Sequence, residues 1–201
     1  RYSGYSIEGG DIQVLSEEVI AIGISERTEP DAIAELAKNL FDDDSNKFKY
    51  VLAIDIPDER SFMHLDTVLT RLDVEKFAVH SQVMQVSKVF EITKGKKDND
   101  LNIIELNMNL EEILKKYLKL DNVMLIKCGG GKRIPAEREQ WSDGANLLTI
   151  RPGVAIAYDR NHVSNEVFKQ AGIRVIEIPS SELSRGRGGP HCMSMALERE
   201  D

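Results

Sequence analysis

Short apolar stretches alternate along the chain with longer stretches whose apolar residues recur at helical spacing. The short stretches are rich in Val, Ile and Leu and are separated by polar or glycine-containing turns, which is typical of strands. The longer ones begin after Pro or Asn and end at Asp clusters or Gly, which is typical of helices. The order strand, strand, helix, strand occurs three times, and a polar cluster precedes each copy.

The copies have the following predicted bounds. The first has strands over 12–15, 19–24 and 50–54 and a helix over about 29–40 with Thr28 as its N-cap. The second has strands over 68–69, 77–79 and 123–126, a helix over 109–118, and an inserted hairpin around 86–92 followed by a charged turn at 94–98. The third has strands over 147–150, 154–158 and 173–178 and a helix over 162–170.

Repeated units of this kind predict an α/β fold in which strands pack inward and helices cover the outside. The polar cluster stands directly before the first strand of each unit. A pseudo-symmetric arrangement therefore brings Asp11, Asp66 and Asn146 around a common axis, which is where we expect a funnel-shaped site.

Composition restricts the partners. The chain has 201 residues, of which 41% are hydrophobic, and a formal net charge of −8. This charge argues against a nucleic-acid or anionic-membrane surface and suits a cationic substrate. Two cysteines, Cys128 and Cys192, are too few for a disulfide framework, so we expect a reducing, cytoplasmic compartment. We predict neither a signal peptide nor a membrane span.

Cys192 is the best candidate for a catalytic nucleophile. It follows a run of glycines with two arginines, Arg185 and Arg187. Glycines allow close approach to a ligand, and nearby cations favour the thiolate over the thiol. The alternative is a buried cysteine in a mobile tail.

His64 and Asp66 are the candidate partners of this thiol. Alternation along a predicted strand puts both side chains on one face, where imidazole and carboxylate address the same ligand. The alternative is a hydrogen-bonded structural histidine beside a solvated aspartate. We predict no metal site, because His-x-Asp lacks further ligands at a recognisable spacing.

Three loops have residue types that occur in known kinds of binding site. The loop with Arg27 places a guanidinium where a carboxylate can dock with two hydrogen bonds. The glycines at 129–131 do not make a phosphate loop, since the required first glycine and a following Ser or Thr are missing. The arginine-glycine segment 185–189 is one short copy without aromatic residues, which argues against RNA binding.

Taken together, six motifs resemble the C-terminal half of bacterial arginine deiminase, over essentially the whole chain. They lie at 7–11, 23–28, 63–67, 138–144, 158–161 and 182–195, in the family's order. The resemblance implies that residues 1–201 form the C-terminal part of one catalytic domain, a partial five-bladed α/β propeller of the pentein type. It also implies that the N-terminal half is absent; the opening Arg1, in place of Met, agrees with this expectation.

The same resemblance implies hydrolysis of L-arginine to L-citrulline and ammonia, with no metal and no cofactor. Cys192 attacks the guanidinium carbon, and His64 protonates the leaving ammonia and then activates water. Asp66 and Glu8 hold the guanidinium and orient the histidine, and Arg27 and Arg187 grip the substrate carboxylate.

Two departures qualify this expectation. His191 stands where the family more commonly carries arginine, which we expect to alter the environment or gating of the thiolate. The family also takes substrate contacts from the absent half, so we expect this chain alone to be inactive and to need that half as a partner. Members commonly form homo-oligomers. The alternatives are an amidinotransferase or another guanidino-group hydrolase on the same fold, and an inactive arginine-binding module.

Overall fold

A computed structural model of the chain describes residues 4–57, 59, 61–80, 88–97, 100–186 and 188–197. Its strands are β1 Ile12–Val14, β2 Val19–Ile24, β3 Tyr50–Asp55, β4 Leu69–Arg71, β5 Lys76–Val79, β6 Val89–Lys94, β7 Leu101–Glu105, β8 Met124–Lys127, β9 Leu148–Arg151, β10 Val154–Tyr158 and β11 Arg174–Ile178. Its α-helices are α1 Pro30–Asp42, α2 Leu110–Leu118, α3 Arg133–Gln140 and α4 His162–Gln170.

Two compact units make up the chain. The first comprises Arg1–Leu65 and Gln82–Val123, and the second comprises Asp66–Ser81 and Met124–Asp201. Each has its own sheets and its own buried apolar cluster. The fold class is therefore α/β, as predicted.

The first unit is built on one five-stranded sheet in the order β1-β2-β3-β6-β7. Strand β2 reads Val-Ile-Ala-Ile-Gly-Ile and is almost continuously buried, which suits a central strand covered on both faces. Helix α1 begins with Pro30, whose fixed φ and missing N–H favour the first helical turn. Ile33 of this helix packs with Ile22 and Val51 of the sheet.

The inserted hairpin belongs to this first sheet. Strand β6 pairs antiparallel with β3, with Ile92 opposite Val51, and β7 pairs with β6. We predicted the hairpin around 86–92, of which residues 86 and 87 lie outside the described part. The first strand of the hairpin, β6, ends at Lys94, and the second strand, β7, begins at Leu101. The insertion thus extends the first sheet rather than the second copy, because it buries Val89 and Ile92 there.

The second unit has two three-stranded sheets, in the orders β4-β5-β8 and β9-β10-β11. In each sheet the first two strands are antiparallel and the third is parallel to the second. Strands β1, β2 and β3 repeat this pattern. The predicted threefold order of strand, strand, helix and strand is thereby confirmed, and the structure adds that the strands of each copy pair in the same way.

The predicted start of helix α2 is observed, whereas the predicted N-cap of helix α1 is wrong. Asn109 caps α2 through a reciprocal pair of hydrogen bonds with Glu112, as a predicted start at 109 requires. Thr28 is not the N-cap of α1, since Glu29 holds that position. The Thr28 hydroxyl donates instead to the buried carboxylate of Asp11.

Helix α3 was not predicted. It is mostly polar and its Ile134 is exposed, so it has no apolar stripe of the kind that indicates a helix. Among the helices of the described part, none combines the length and apolar character needed to cross a membrane.

Candidate active site

Glu8, Arg27 and His64 form a hydrogen-bonded cluster in the first unit, here called the His64 group. Nε2 of His64 lies 2.5 Å from Oε2 of Glu8, and Nη1 of Arg27 lies 3.3 Å from the same oxygen. The hydrogen bond from His64 has the largest effect and lowers the pKa of Glu8 below its ordinary value; burial opposes it, and the weaker hydrogen bond from Arg27 lowers the pKa further. An ionised Glu8 can hold the imidazole in one orientation.

Asp11 holds the backbone on both sides of this group. Its Oδ2 accepts hydrogen bonds of 2.7 Å from the hydroxyls of Ser25 and Thr28, and its Oδ1 accepts one of 2.8 Å from the N–H of Leu65. Thr28 follows the arginine of the group and Leu65 follows its histidine. Burial raises the pKa of Asp11, partly offset by these hydrogen bonds.

Gly10 allows the His64 ring to approach the backbone. A Cβ atom at position 10 would lie 2.8 Å from Cγ and 2.9 Å from Nδ1 of His64, closer than van der Waals contact permits. A Cβ at Gly9 would meet nothing within 4 Å. The second glycine of the pair is therefore required by packing.

The predicted strand through His64 and Asp66 is wrong. Leu65–Thr67 form a 3-10 turn that precedes β4, so strand alternation does not apply. Side chains take the backbone groups that a strand would pair: Asp11 accepts from the N–H of Leu65, and Asn146 donates to the carbonyl of Asp66 at 3.0 Å.

Asp66, His191 and Cys192 form a second cluster, here called the Cys192 group, in the second unit. Sγ of Cys192 lies 3.5 Å from Oδ2 of Asp66, and Nδ1 of His191 lies 2.9 Å from the same oxygen. Only 2% of the Asp66 side chain is exposed. The tail thiol and the carboxylate that we predicted as partners are in contact.

The electrostatics of this thiol differ from the prediction. Cys192 is exposed as a residue, but partial desolvation of its sulfur, and then the negative charge of Asp66, raises the pKa of the thiol to about 12. We expected arginines to favour the thiolate, but Arg185 is exposed and pairs with Glu182 at 3.2 Å, and Arg187 lies outside the described residues. At neutral pH Cys192 is therefore a thiol that donates to Asp66.

Asn146 positions both members of this contact. Its Oδ1 accepts a 3.1 Å hydrogen bond from the backbone N–H of Cys192, and its amide donates to the carbonyl of Asp66. A Cβ at position 189 would lie 2.4 Å from the Asn146 Oδ1, so the tail passes this side chain only because residue 189 is glycine. We predicted Asn146 near Asp66, and this contact is observed; the common axis with Asp11 stays a prediction.

Gly188 is held from two sides. Tyr158 donates its buried hydroxyl to the Gly188 carbonyl at 2.8 Å, and Asp143 accepts from the Gly188 N–H at 3.2 Å. The φ of Gly188 is 138°, a conformation that favours glycine. These contacts fix the backbone four residues before Cys192.

Sequence reasoning missed the side chains that hold the turn containing Asp66. Gln140 donates to the carbonyl of Thr67 at 3.0 Å, and Thr70 donates to the carbonyl of Ala145 at 2.6 Å. Gln140 lies in one of the six motifs, which was the available signal. Within the described ranges, the His, Cys, Asp and Glu side chains form no group of three or more suited to a metal ion.

Comparison with known proteins identifies the family. The family model for arginine deiminase matches residues 2–199. The arginine deiminase of Treponema denticola is 50% identical over 201 residues, which is 100% of this chain and 49% of that protein. The arginine deiminase of Clostridium perfringens is 54% identical over 197 residues, 98% of this chain and 48% of that protein. The chain thus spans about half the length of the curated relatives it matches.

Solved structures of low identity share the fold. SxtG, an amidinotransferase from Microseira wollei, matches with a TM-score of 0.65 at 17% identity, over 96% of this chain and 45% of that one. DDAH from Pseudomonas aeruginosa, complexed with citrulline, matches with a TM-score of 0.59 at 18% identity, over 96% of this chain and 56% of that one. Because the family model matches residues 2–199 and relatives of 50% identity or more cover the chain, the chain belongs to the arginine deiminase family.

Proposed function

We propose that this chain carries the nucleophile and the acid–base histidine of an enzyme that hydrolyses L-arginine to L-citrulline and ammonia. Family membership supports the reaction. The observation that carries the proposal is the 3.5 Å contact between Sγ of Cys192 and the buried carboxylate of Asp66. It puts a nucleophile beside a group that binds a planar cation.

The charged residues have complementary roles in binding. Asp66 and Glu8 bind the guanidinium, because carboxylate oxygens accept hydrogen bonds from its N–H edges. Arg27 and Arg187 bind the substrate carboxylate, because an arginine fork matches two carboxylate oxygens. The exposure of nearly half of the Arg27 side chain supports this role, since its N–H groups are accessible to a ligand.

Substrate binding activates the thiol. In the chain without substrate the charge of Asp66 opposes loss of the Cys192 proton. A guanidinium bound to Asp66 offsets that negative charge and adds a cation beside the sulfur, and both effects favour the thiolate. The nucleophile is therefore formed only when its target is present.

The reaction proceeds in two balanced steps. Sγ forms a bond to the guanidinium carbon, and the C–N bond to one terminal amino group breaks. The thiol proton ends on the departing ammonia, with His64 as the donor to it, and a thiouronium remains on Cys192. His64 then takes a proton from water, which attacks the same carbon; the C–S bond breaks, and citrulline and the thiol form.

We further propose that residues 1–201 are the C-terminal part of one catalytic domain, a five-bladed α/β propeller of which this chain holds a part. The repeated pattern of strand pairing and the half-length coverage of relatives support this. The remaining guanidinium contacts come from the other half. The chain alone is then expected to be inactive.

A complementation assay tests these points. The chain is co-expressed with the part of the Treponema denticola relative that it does not cover, and citrulline is measured with a ureido-group assay. We expect citrulline from the pair and from its Cys128→Ala variant, and none from the Cys192→Ala pair or from the chain alone. Citrulline from the Cys192→Ala pair would exclude Cys192 as the nucleophile, and citrulline from the chain alone would overturn the expected inactivity.

An amidinotransferase is the second candidate, favoured by the TM-score of 0.65 with SxtG. Such an enzyme passes the amidino group to an acceptor amine in place of water. Assaying the pair with arginine and with glycine as an added acceptor separates the two. Release of ornithine with an amidinated acceptor would replace the hydrolase proposal.

A further inference from the structure

We propose that His191 competes with the substrate guanidinium for Asp66 and thereby sets the affinity of the Cys192 group for planar cations. This inference rests on the proposed roles of Cys192 and Asp66. His191 is the residue that stands where the family more commonly carries arginine.

The two oxygens of Asp66 have different surroundings. Oδ2 accepts from Nδ1 of His191 at 2.9 Å and from Sγ of Cys192 at 3.5 Å. Oδ1 is buried and has no hydrogen-bond partner in the part of the chain that the structure describes. A buried acceptor left without a donor is costly, which indicates that Oδ1 is held ready for a ligand.

A guanidinium binds a carboxylate best through two parallel N–H···O bonds, one to each oxygen. At Asp66, Oδ1 has no donor within the described residues, whereas Oδ2 already has two. Full engagement of a guanidinium therefore requires that a donor leave Oδ2.

Of the two donors, His191 is the one whose side chain is free to move away from Oδ2 as a whole. Its side chain is 31% exposed, whereas the backbone of Cys192 is tied to Asn146. Its Nδ1 must carry the proton, because an ionised carboxylate only accepts. The ring thus presents an N–H to Asp66 where a guanidinium would present one, and each bound substrate has to displace it.

A pair of alkylating reagents tests the competition on the 201-residue chain. 2-Chloroacetamidine is a planar cation that should use Asp66, and iodoacetamide is neutral and should not. In both reactions Sγ of Cys192 forms a C–S bond to the CH₂ carbon, halide leaves and the thiol proton goes to solvent. The ratio of the two rate constants therefore reports cation binding at Asp66, independent of thiol reactivity.

We expect His191→Ala to raise this ratio about threefold to tenfold, since a hydrogen bond to a charged group is lost but the ring is partly solvated. His191→Asn retains an N–H donor, so its ratio should stay close to that of the unmodified chain. His162→Ala, at an exposed position on α4, is the control and should leave the ratio unchanged. Urea denaturation of each variant checks that the fold is intact.

The Asp66→Asn variant distinguishes failure of the competition from failure of the proposed guanidinium site. If Asp66→Asn lowers the ratio and His191→Ala does not raise it, the competition is wrong while the guanidinium site stands. If both reagents accelerate equally in His191→Ala, the histidine acts on the thiol and the inference is overturned. If Asp66→Asn leaves the ratio unchanged, Asp66 does not bind cations and both proposals fail.

Discussion

Two buried aspartates, Asp11 and Asp66, differ in how fully their oxygens are hydrogen-bonded by the chain. Both oxygens of Asp11 accept hydrogen bonds from the chain, from Ser25, Thr28 and Leu65. Oδ1 of Asp66 accepts none within the described residues, and its Oδ2 shares two donors. Because a satisfied carboxylate has little to offer a ligand, Asp11 is a positioning residue and Asp66 is the candidate binding residue.

Gly10→Ala tests whether the His64 ring requires a residue without a Cβ atom beside it. The added Cβ would lie within 3 Å of the ring and force a shift, so we expect a loss of roughly 1–3 kcal/mol in the free energy of unfolding. It should also move the NMR signals of the His64 ring. Urea denaturation measures the first effect and a ¹H–¹⁵N spectrum measures the second.

Gly9→Ala is the matched control one residue away. A Cβ there meets open space, so stability should change by less than about 0.5 kcal/mol and the His64 signals should stay. Equal effects at the two positions would show that the turn, and not contact with the ring, demands glycine.

At the scale of elements, helix α3 provides the N-terminal cap of helix α4. Asn161 stands at the N-cap position but makes no side-chain capping bond. The buried carboxylate of Glu139 instead accepts from the N–H of Val163 at 2.9 Å and from the N–H and hydroxyl of Ser164 at 2.8 and 2.6 Å. A negative group at this end also suits the helix dipole.

Replacing Glu139 should therefore destabilise the second unit. Glu139→Ala leaves three donors, two of them buried, without this acceptor, and we expect a loss of roughly 1–3 kcal/mol in the free energy of unfolding. Glu139→Gln keeps one acceptor oxygen and should lose less. Glu137→Ala, in an exposed ion pair with Arg133 on the same helix, should change stability by less than about 0.5 kcal/mol. An unchanged free energy of unfolding in Glu139→Ala would contradict the capping role.

At the scale of the whole molecule, the thiols make the fold sensitive to alkali. Burial raises the pKa of Cys128 to about 12, and burial with Asp66 does the same for Cys192. Each thiol loses its proton in the unfolded chain near pH 8.5 and in the folded chain only near pH 12. Their contribution to stability is thus fully present below pH 8.5 and is lost as the pH rises to 12.

Urea denaturation between pH 7 and 11 measures this loss. Between the two pKa values the slope contributed by Cys128 approaches about 1.4 kcal/mol per pH unit. Cys128→Ala should make the free energy of unfolding fall less steeply than in the unmodified chain. An unchanged slope in this variant would show that the thiol titrates alike in both states.

Local pattern determined most of the secondary structure. Strands β2 and β10 and helix α4 have the predicted bounds, because an apolar run between turns or a helical period depends on neighbouring residues only. The motifs also predicted which side chains carry chemistry. The contacts of Glu8 with His64 and of Cys192 with Asp66 agree with those predictions, while the catalytic roles remain proposals.

Tertiary structure decided what depends on atoms distant in the chain. The turn at Leu65–Thr67 replaces the predicted strand because side chains from elsewhere take its backbone hydrogen bonds. The raised pKa of Cys192 comes from burial of the sulfur and from a carboxylate 126 residues away, which the residues next to Cys192 in the sequence do not indicate. Periodicity reports which residues are buried, whereas hydrogen-bond partners and electrostatic fields follow from distances that only the folded chain defines.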